Sequence, residues 1–164
     1  MTLSFKEDHI SQIPALMMLE KVGYTYLTPA EAMELRGGNT SNVLLEPILR
    51  EQLAKINTVQ VSSQRTTVFS EQNITAGIEA LRNLPMAEGF MTASQVAYDL
   101  LTAGKTLEQI VDGDKKSYVM QYIDWKHIEN NAFHVTEEFA VSRTGMSDTY
   151  RPDIVLFVNG IPLC

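Results

Sequence analysis

The residues best placed to do chemistry stand near the end of the chain. Arg151-Pro152-Asp153 runs straight into Ile154-Val155-Leu156-Phe157-Val158, a continuous apolar stretch rich in β-branched residues that reads as a buried strand. Asn159-Gly160 is a two-residue turn signal, and Ile161-Pro162-Leu163-Cys164 opens a second apolar run, so the segment predicts a β-hairpin. Pro152 fixes the backbone just ahead of Asp153, whose carboxylate would then sit at the mouth of a rigid sheet. That placement suits a carboxylate sharing a divalent cation with other oxygens. A Pro-Asp pair before a strand is more commonly a turn-to-strand junction that holds nothing, and only the surrounding residues raise Asp153 above that account.

Those surroundings, RPDIVLFVNGIPL from Arg151 to Leu163, resemble the amino-terminal nuclease domain of the type I restriction enzyme R (HsdR) subunit. In that family the PD-(D/E)xK site continues through a short apolar strand into an E-x-K. The resemblance extends upstream, through His9 to Ala15, Gly23 to Leu27 and the LLEPILREQLAKIN stretch from Leu44 to Asn57. It implies that Asp153 is the catalytic, metal-binding aspartate, and it puts the Glu and Lys of the E-x-K roughly three to five residues beyond Cys164. On this reading the 164 residues are an amino-terminal fragment that ends inside its own site and is inactive alone.

The resemblance also implies cofactors and partners. The intact subunit would use Mg²⁺ to make double-strand cuts in unmodified DNA, after translocation driven by ATP in motor domains absent from this sequence. It would act with methyltransferase (M) and specificity (S) subunits, the latter choosing the target sequence. The rival reading is a non-catalytic remnant that docks on the methyltransferase-specificity complex. An E-x-K soon after Cys164 favours the enzyme, and a stop codon there favours the remnant.

Further site residues follow from the same comparison. Sites of this class take an earlier acid from the first core helix, for which Glu7 and Glu20 are the candidates; no motif fixes either, Glu20 is the one carried forward, and an exposed helix charge is the commoner account of each. Glu137 and Glu138 fall on the strand expected beside Asp153, and strand alternation lets only one face the pocket. Glu138 is the additional acid proposed, although the family's expected residue there is Gln. Arg143 and Arg151 flank the loop before Asp153 and would meet a phosphate or else form a solvated salt bridge. His9, His127 and His134 are too scattered for a zinc site. Neither G-x-x-x-x-G-K-[ST] nor G-x-S-x-G occurs, so the chain shows no sign of ATP binding or serine-hydrolase chemistry of its own.

Composition sets the frame in which these residues must be held. With 45% hydrophobic and 20% charged residues the chain reads as folded, and its length fits one domain over residues 1–164. A net charge of −7 argues against gripping DNA by bulk electrostatics, so the duplex would be delivered by other parts of the assembly. The single Cys164 reads as a small core hydrophobe. No apolar run is long enough to span a bilayer and the start lacks a signal-peptide pattern, so the expectation is a cytoplasmic protein with no membrane contact.

Helices come first along the chain and strands last. Phe5 to Val22 predicts a helix kinked or divided by Pro14, followed by extended Tyr24 to Leu27. A short helix opens at Thr28-Pro29, a third runs from about Asn42 to Ile56, a fourth spans Ser70 to Leu84, and a fifth Thr92 to Leu101. Leu107 to Val111 reads as one or two helical turns, Asp112 to Ser117 as a polar loop, and Ser117 to Asp124 as a strand. His134 to Ser142 alternates as a strand with a change of phase at Glu137-Glu138. The fold class expected is α/β, a restriction-endonuclease-like core in which helices flank a mixed β-sheet that is incomplete at its carboxy-terminal end.

Overall fold

The computed structural model describes residues 7–142 and 148–163, with side chains described from residue 12 onward. Its contacts form two compact units, one made of the chain up to Leu45 together with Ala132 onward, the other of Glu46–Asn131. The architecture is α/β, with a mixed sheet in the first unit.

The first unit holds α1 (Glu7–Lys21), β1 (Thr25–Tyr26), α2 (Pro29–Leu35), β6 (Phe133–Glu137), β7 (Val141–Ser142), β8 (Thr149–Tyr150), β9 (Ile154–Val158) and β10 (Ile161–Pro162). Its main sheet runs β1-β6-β9-β10, parallel between β1 and β6 and antiparallel elsewhere. Sequence explains most of these boundaries. Thr28 caps α2 through a capping box with Glu31, and Pro29 occupies its first turn, where a missing N–H costs nothing. Asn159 and Gly160, at φ 52° and 80°, make the tight turn that returns β10 against β9. Asn159 is fully buried, and its Oδ1 accepts the Ala132 amide at 2.8 Å, so this turn residue also fastens the start of β6. Pro162 lies in β10, the edge strand of this sheet among the described residues. Of the two outcomes expected at Pro14, a kink or a division, division does not occur: α1 passes it as a single helix.

The second unit holds α3 (Glu46–Ile56), β2 (Thr58–Ser62), β3 (Arg65–Val68), α4 (Glu71–Arg82), α5 (Phe90–Ala103), β4 (Lys105–Val111) and β5 (Asp114–Met120). Leu49, Leu53, Val59, Ile74, Ile78, Met120 and Tyr122 form its core, and the Tyr122 hydroxyl donates to the Gly77 carbonyl at 2.6 Å. Asn57 clasps Gln121 from both sides, donating to its carbonyl at 2.8 Å and accepting its amide at 2.7 Å.

Four expectations give way here. Leu107 to Val111 is extended rather than helical: it lies within β4, whose side chains alternate between half-buried and exposed and which pairs along its whole length with β5. The loop expected over Asp112 to Ser117 shrinks to Asp112-Gly113, at φ 53° and 86°, and the strand expected at Ser117–Asp124 starts earlier and ends at Met120. Asp-Gly between alternating residues is itself a hairpin signal, and cross-strand pairing outweighs the weak helical periodicity. The third helix starts at Glu46 instead of Asn42. Asn42 Oδ1 accepts the Leu44 amide, and the Leu45 amide donates to Gly160, so both backbone donors are taken before helix can form.

Candidate functional site

β6 and β9 fix where the acidic residues stand. Their antiparallel register sets Glu137 opposite Ile154, Val135 opposite Leu156 and Phe133 opposite Val158, so these share one face of the sheet. Tyr26, in register with Val135 across the parallel β1–β6 pair, joins that face. Its hydroxyl donates to Glu137 Oε1 at 2.8 Å. Burial, then the Glu137 hydrogen bond and the charges of Glu137, Glu31 and Glu20 push the Tyr26 hydroxyl up to about 12. It therefore keeps its proton and stays a donor to the carboxylate. Glu20 is exposed on α1 and belongs with this Tyr26 group.

Asp153 occupies a bend immediately before β9, exposed to solvent. The strand pairing runs one step past Glu137, because the Glu138 amide donates to the Asp153 carbonyl at 3.2 Å. Glu138 has φ 54°, a left-handed backbone, and the regular alternation of β6 ends there. The expected change of phase at Glu137-Glu138 is thus a backbone turn of one residue. Arg151 Nη1 donates to Glu138 Oε2 at 2.9 Å, with both side chains open to solvent. Asp153, Glu138 and Arg151 therefore gather at one corner, where β6 ends and β9 begins. Arg143 lies outside the described residues.

One contributor to this corner gave no signal in the sequence beyond its place ahead of Gly37-Gly38. Arg36, the residue that closes α2, is 1% exposed and is the largest fully buried side chain among the described residues. Its guanidinium lies 4.1 Å from the centre of the Phe139 ring and donates through Nη2 to the Ala140 carbonyl. Burial lowers its pKa from the usual arginine value.

Asp153 and Glu138 are two carboxylates at one corner, and no group of three or more His, Cys, Asp or Glu side chains able to hold a metal occurs among the described residues. Mg²⁺ prefers six near-octahedral oxygens, so these side chains alone do not make its site. The β9–β10 register is regular as far as it is described. Ile161 pairs with Val158 and Pro162 with Phe157, and the Leu163 amide donates to the Leu156 carbonyl at 3.0 Å. Each further residue along β10 steps one residue back along β9, so a strand continued in this register sets its second residue after Cys164 opposite Asp153.

A family model described as the type I restriction enzyme R protein N terminus matches residues 4–164. The chain belongs to that family. It is 25% identical over 158 residues to a chain from Methanocaldococcus jannaschii named as the MjaIXP type I restriction enzyme endonuclease subunit, covering 96% of this chain and 14% of that one. Against the type I restriction enzyme HindI endonuclease subunit of Haemophilus influenzae, identity is 28% over 162 residues, with 96% and 14% covered. A second M. jannaschii subunit, MjaVIIIP, is 30% identical over 148 residues, with 88% of this chain and 12% of the other covered. The present chain thus spans about one seventh of the length of the first two relatives. No solved structure matches it. The chain is the amino-terminal module of an R subunit, and among its described residues no helix is long and apolar enough to cross a membrane.

Proposed function

We propose that these 164 residues act as one module that supplies the nuclease site of a type I restriction endonuclease, with Asp153 as the site's metal-holding carboxylate. The observation that carries this reading is the register of the β9–β10 hairpin. Asp153 stands at the head of β9, and a strand continued in this register would run alongside it, where the E-x-K of the resemblance is expected. A second carboxylate and a lysine arriving there would complete what phosphodiester hydrolysis needs.

The chain's own part in that chemistry is limited and specific. Asp153 offers an exposed carboxylate on a fixed strand end, and Glu138 offers another across the strand pair. Arg151 is held by Glu138 and would have to exchange that partner to meet a phosphate. The bound Mg²⁺ would polarise the phosphate and lower the pKa of the attacking water. Double-stranded DNA, delivered with the methyltransferase and specificity subunits, is the substrate of this reading. ATP serves motor domains elsewhere in the subunit, and the assembly works in the cytoplasm.

The test is Asp153→Asn in the full-length subunit assembled with its partners. Asp153 is exposed, so the change leaves folding intact. Double-strand cutting of unmodified DNA should fall below detection while ATP consumption on the same DNA continues. Cutting at the wild-type rate would refute the assignment.

A further inference from the structure

Arg36 is costly where it stands. Its Nε and Nη1 are buried without a hydrogen-bond partner, leaving one carbonyl and one aromatic face to compensate a desolvated charge. A buried, incompletely paired cation generally destabilises a fold relative to an apolar side chain of similar size. Stability alone therefore does not account for a guanidinium here.

What Arg36 holds is the corner beside Asp153. The segment following α2 is stitched to residues 140–142 at three points: Arg36 Nη2 to the Ala140 carbonyl, the Ser142 amide to the Thr40 carbonyl at 3.1 Å, and the Thr40 hydroxyl to the Ser142 hydroxyl. The guanidinium also presses on Phe139, whose ring meets Phe157 of β9 edge-on at 5.4 Å. Phe139 is the next residue after Glu138, whose left-handed backbone turns the chain away from β6. Arg36 therefore grips the chain at the two residues immediately beyond the one that faces Asp153.

We propose that Arg36 is a positioning residue for the nuclease site: the stack of Arg36 on Phe139 on Phe157, with the Ala140 bond, fixes the turn at Glu138 and so the spacing of the Glu138 and Asp153 carboxylates. This rests on the reading of Asp153 given above. Its action is indirect, since it touches neither carboxylate in the contacts described and works through Phe139 and Ala140.

Arg36→Met separates this role from a purely structural one. Methionine fills similar space without a charge, so the variant should fold with a Tm equal to or above that of the wild type. In the full-length subunit with its partners, the same variant should cut DNA on the order of tenfold to a hundredfold more slowly, because small misplacements of catalytic groups cost that much. The Mg²⁺ concentration for half-maximal cutting should rise, with ATP consumption unchanged. A stable Arg36→Met that cuts with wild-type rate and Mg²⁺ dependence overturns the proposal. Should Arg36→Met fail to fold, Arg36→Lys decides, since it keeps the charge and loses the planar stack: slowed cutting with a raised Mg²⁺ requirement supports the role, while unchanged cutting or loss of fold in both variants overturns it. Asp153→Asn, measured alongside, keeps the two claims apart. If it abolishes cutting and Arg36→Met does not slow it, the positioning role fails and the assignment of Asp153 stands; if Asp153→Asn cuts normally, the site reading itself has failed.

Discussion

The Glu138 amide donates to the Asp153 carbonyl at 3.2 Å, making these the last paired residues of β6 and β9. Past that bond the two strands part, and Glu138 takes a left-handed backbone. Two acidic residues are thereby held across from one another by main chain rather than by their own side chains. The Glu138 carboxylate pairs with Arg151, and that of Asp153, exposed to solvent, has no described partner.

This relationship predicts the behaviour of Arg151→Ala. Both members of the Arg151–Glu138 pair are well exposed, with 60% and 37% of their side-chain surface accessible, so solvent screens the interaction and its loss should cost less than about 0.5 kcal/mol. Chemical denaturation checks that figure. If Arg151 exchanges Glu138 for a DNA phosphate, Arg151→Ala should also flatten the salt dependence of DNA binding by the assembled enzyme by about one unit of log–log slope. An unchanged slope would leave Arg151 as a surface ion pair.

The 164-residue polypeptide by itself should neither cut DNA nor bind Mg²⁺ tightly. Among its described residues no cluster of three metal-capable side chains occurs, and two carboxylates leave Mg²⁺ mostly hydrated. Calorimetric titration should show no saturable binding below about 1 mM. A site saturating at micromolar Mg²⁺ would mean that these residues hold a complete ligand set.

Asn159→Ala tests the turn that aims β10. Asn159 is fully buried at φ 52°, accepts the Ala132 amide and donates its own amide to the Ala132 carbonyl, each at 2.8 Å. Alanine leaves the half-buried Ala132 amide without its acceptor and pays the left-handed backbone cost, together about 2–4 kcal/mol. The loss should appear as a lowered denaturation midpoint with an unchanged slope. Asn159→Asp retains the acceptor and should be milder than alanine.

How far these features could be read in the sequence differs by element. The β9–β10 hairpin was legible because its signals are local: a continuous apolar run, then Asn-Gly. The α2 start was legible for the same reason, from Thr28-Pro29 with Glu31 completing a capping box. β4 was not, since Leu107 to Val111 gains its extended form only by pairing with β5. Hairpin β2–β3 likewise takes its form from cross-strand pairing. At the site, Asp153 and Glu138 were nominated, and the main chain sets them opposite one another. Glu20, on α1, acts by its charge on Tyr26, whose partner Glu137 comes from β6, the strand paired with β1. Arg36 was invisible because its meaning depends on residues more than a hundred positions away.

Gly104 shows how little room the α5–β4 junction leaves. It sits at φ +80°, and a Cβ there would lie 2.4 Å from the Met120 carbonyl oxygen and 2.9 Å from Val119 Cγ1. Gly104→Ala should cost about 2–4 kcal/mol from left-handed strain and overpacking combined. Gly113 has a similar φ of +86° with nothing within 4 Å, so Gly113→Ala should lose only the backbone share, about 1–2 kcal/mol. Equal losses in the two variants would mean that the Met120 backbone yields freely.

His134 supplies a pH dependence whose sign can be worked out. It lies on β6 opposite Phe157, and its Nδ1 is buried without a hydrogen-bond partner. Burial lowers its pKa below the ordinary 6.5, so the folded chain resists protonating it more than the unfolded chain does. Between the folded and unfolded pKa values the unfolded state binds more protons, and stability falls as pH falls. The contribution is complete above about pH 6.5 and is withdrawn as the solution is acidified through that value toward the lower folded pKa. His134→Leu, apolar and unable to titrate, should remove this part of the acid sensitivity. Tm measured from pH 7.5 downward should therefore decline less in the variant than in the wild type just below neutrality. Parallel curves for the two proteins would mean that His134 gains its proton as easily folded as unfolded.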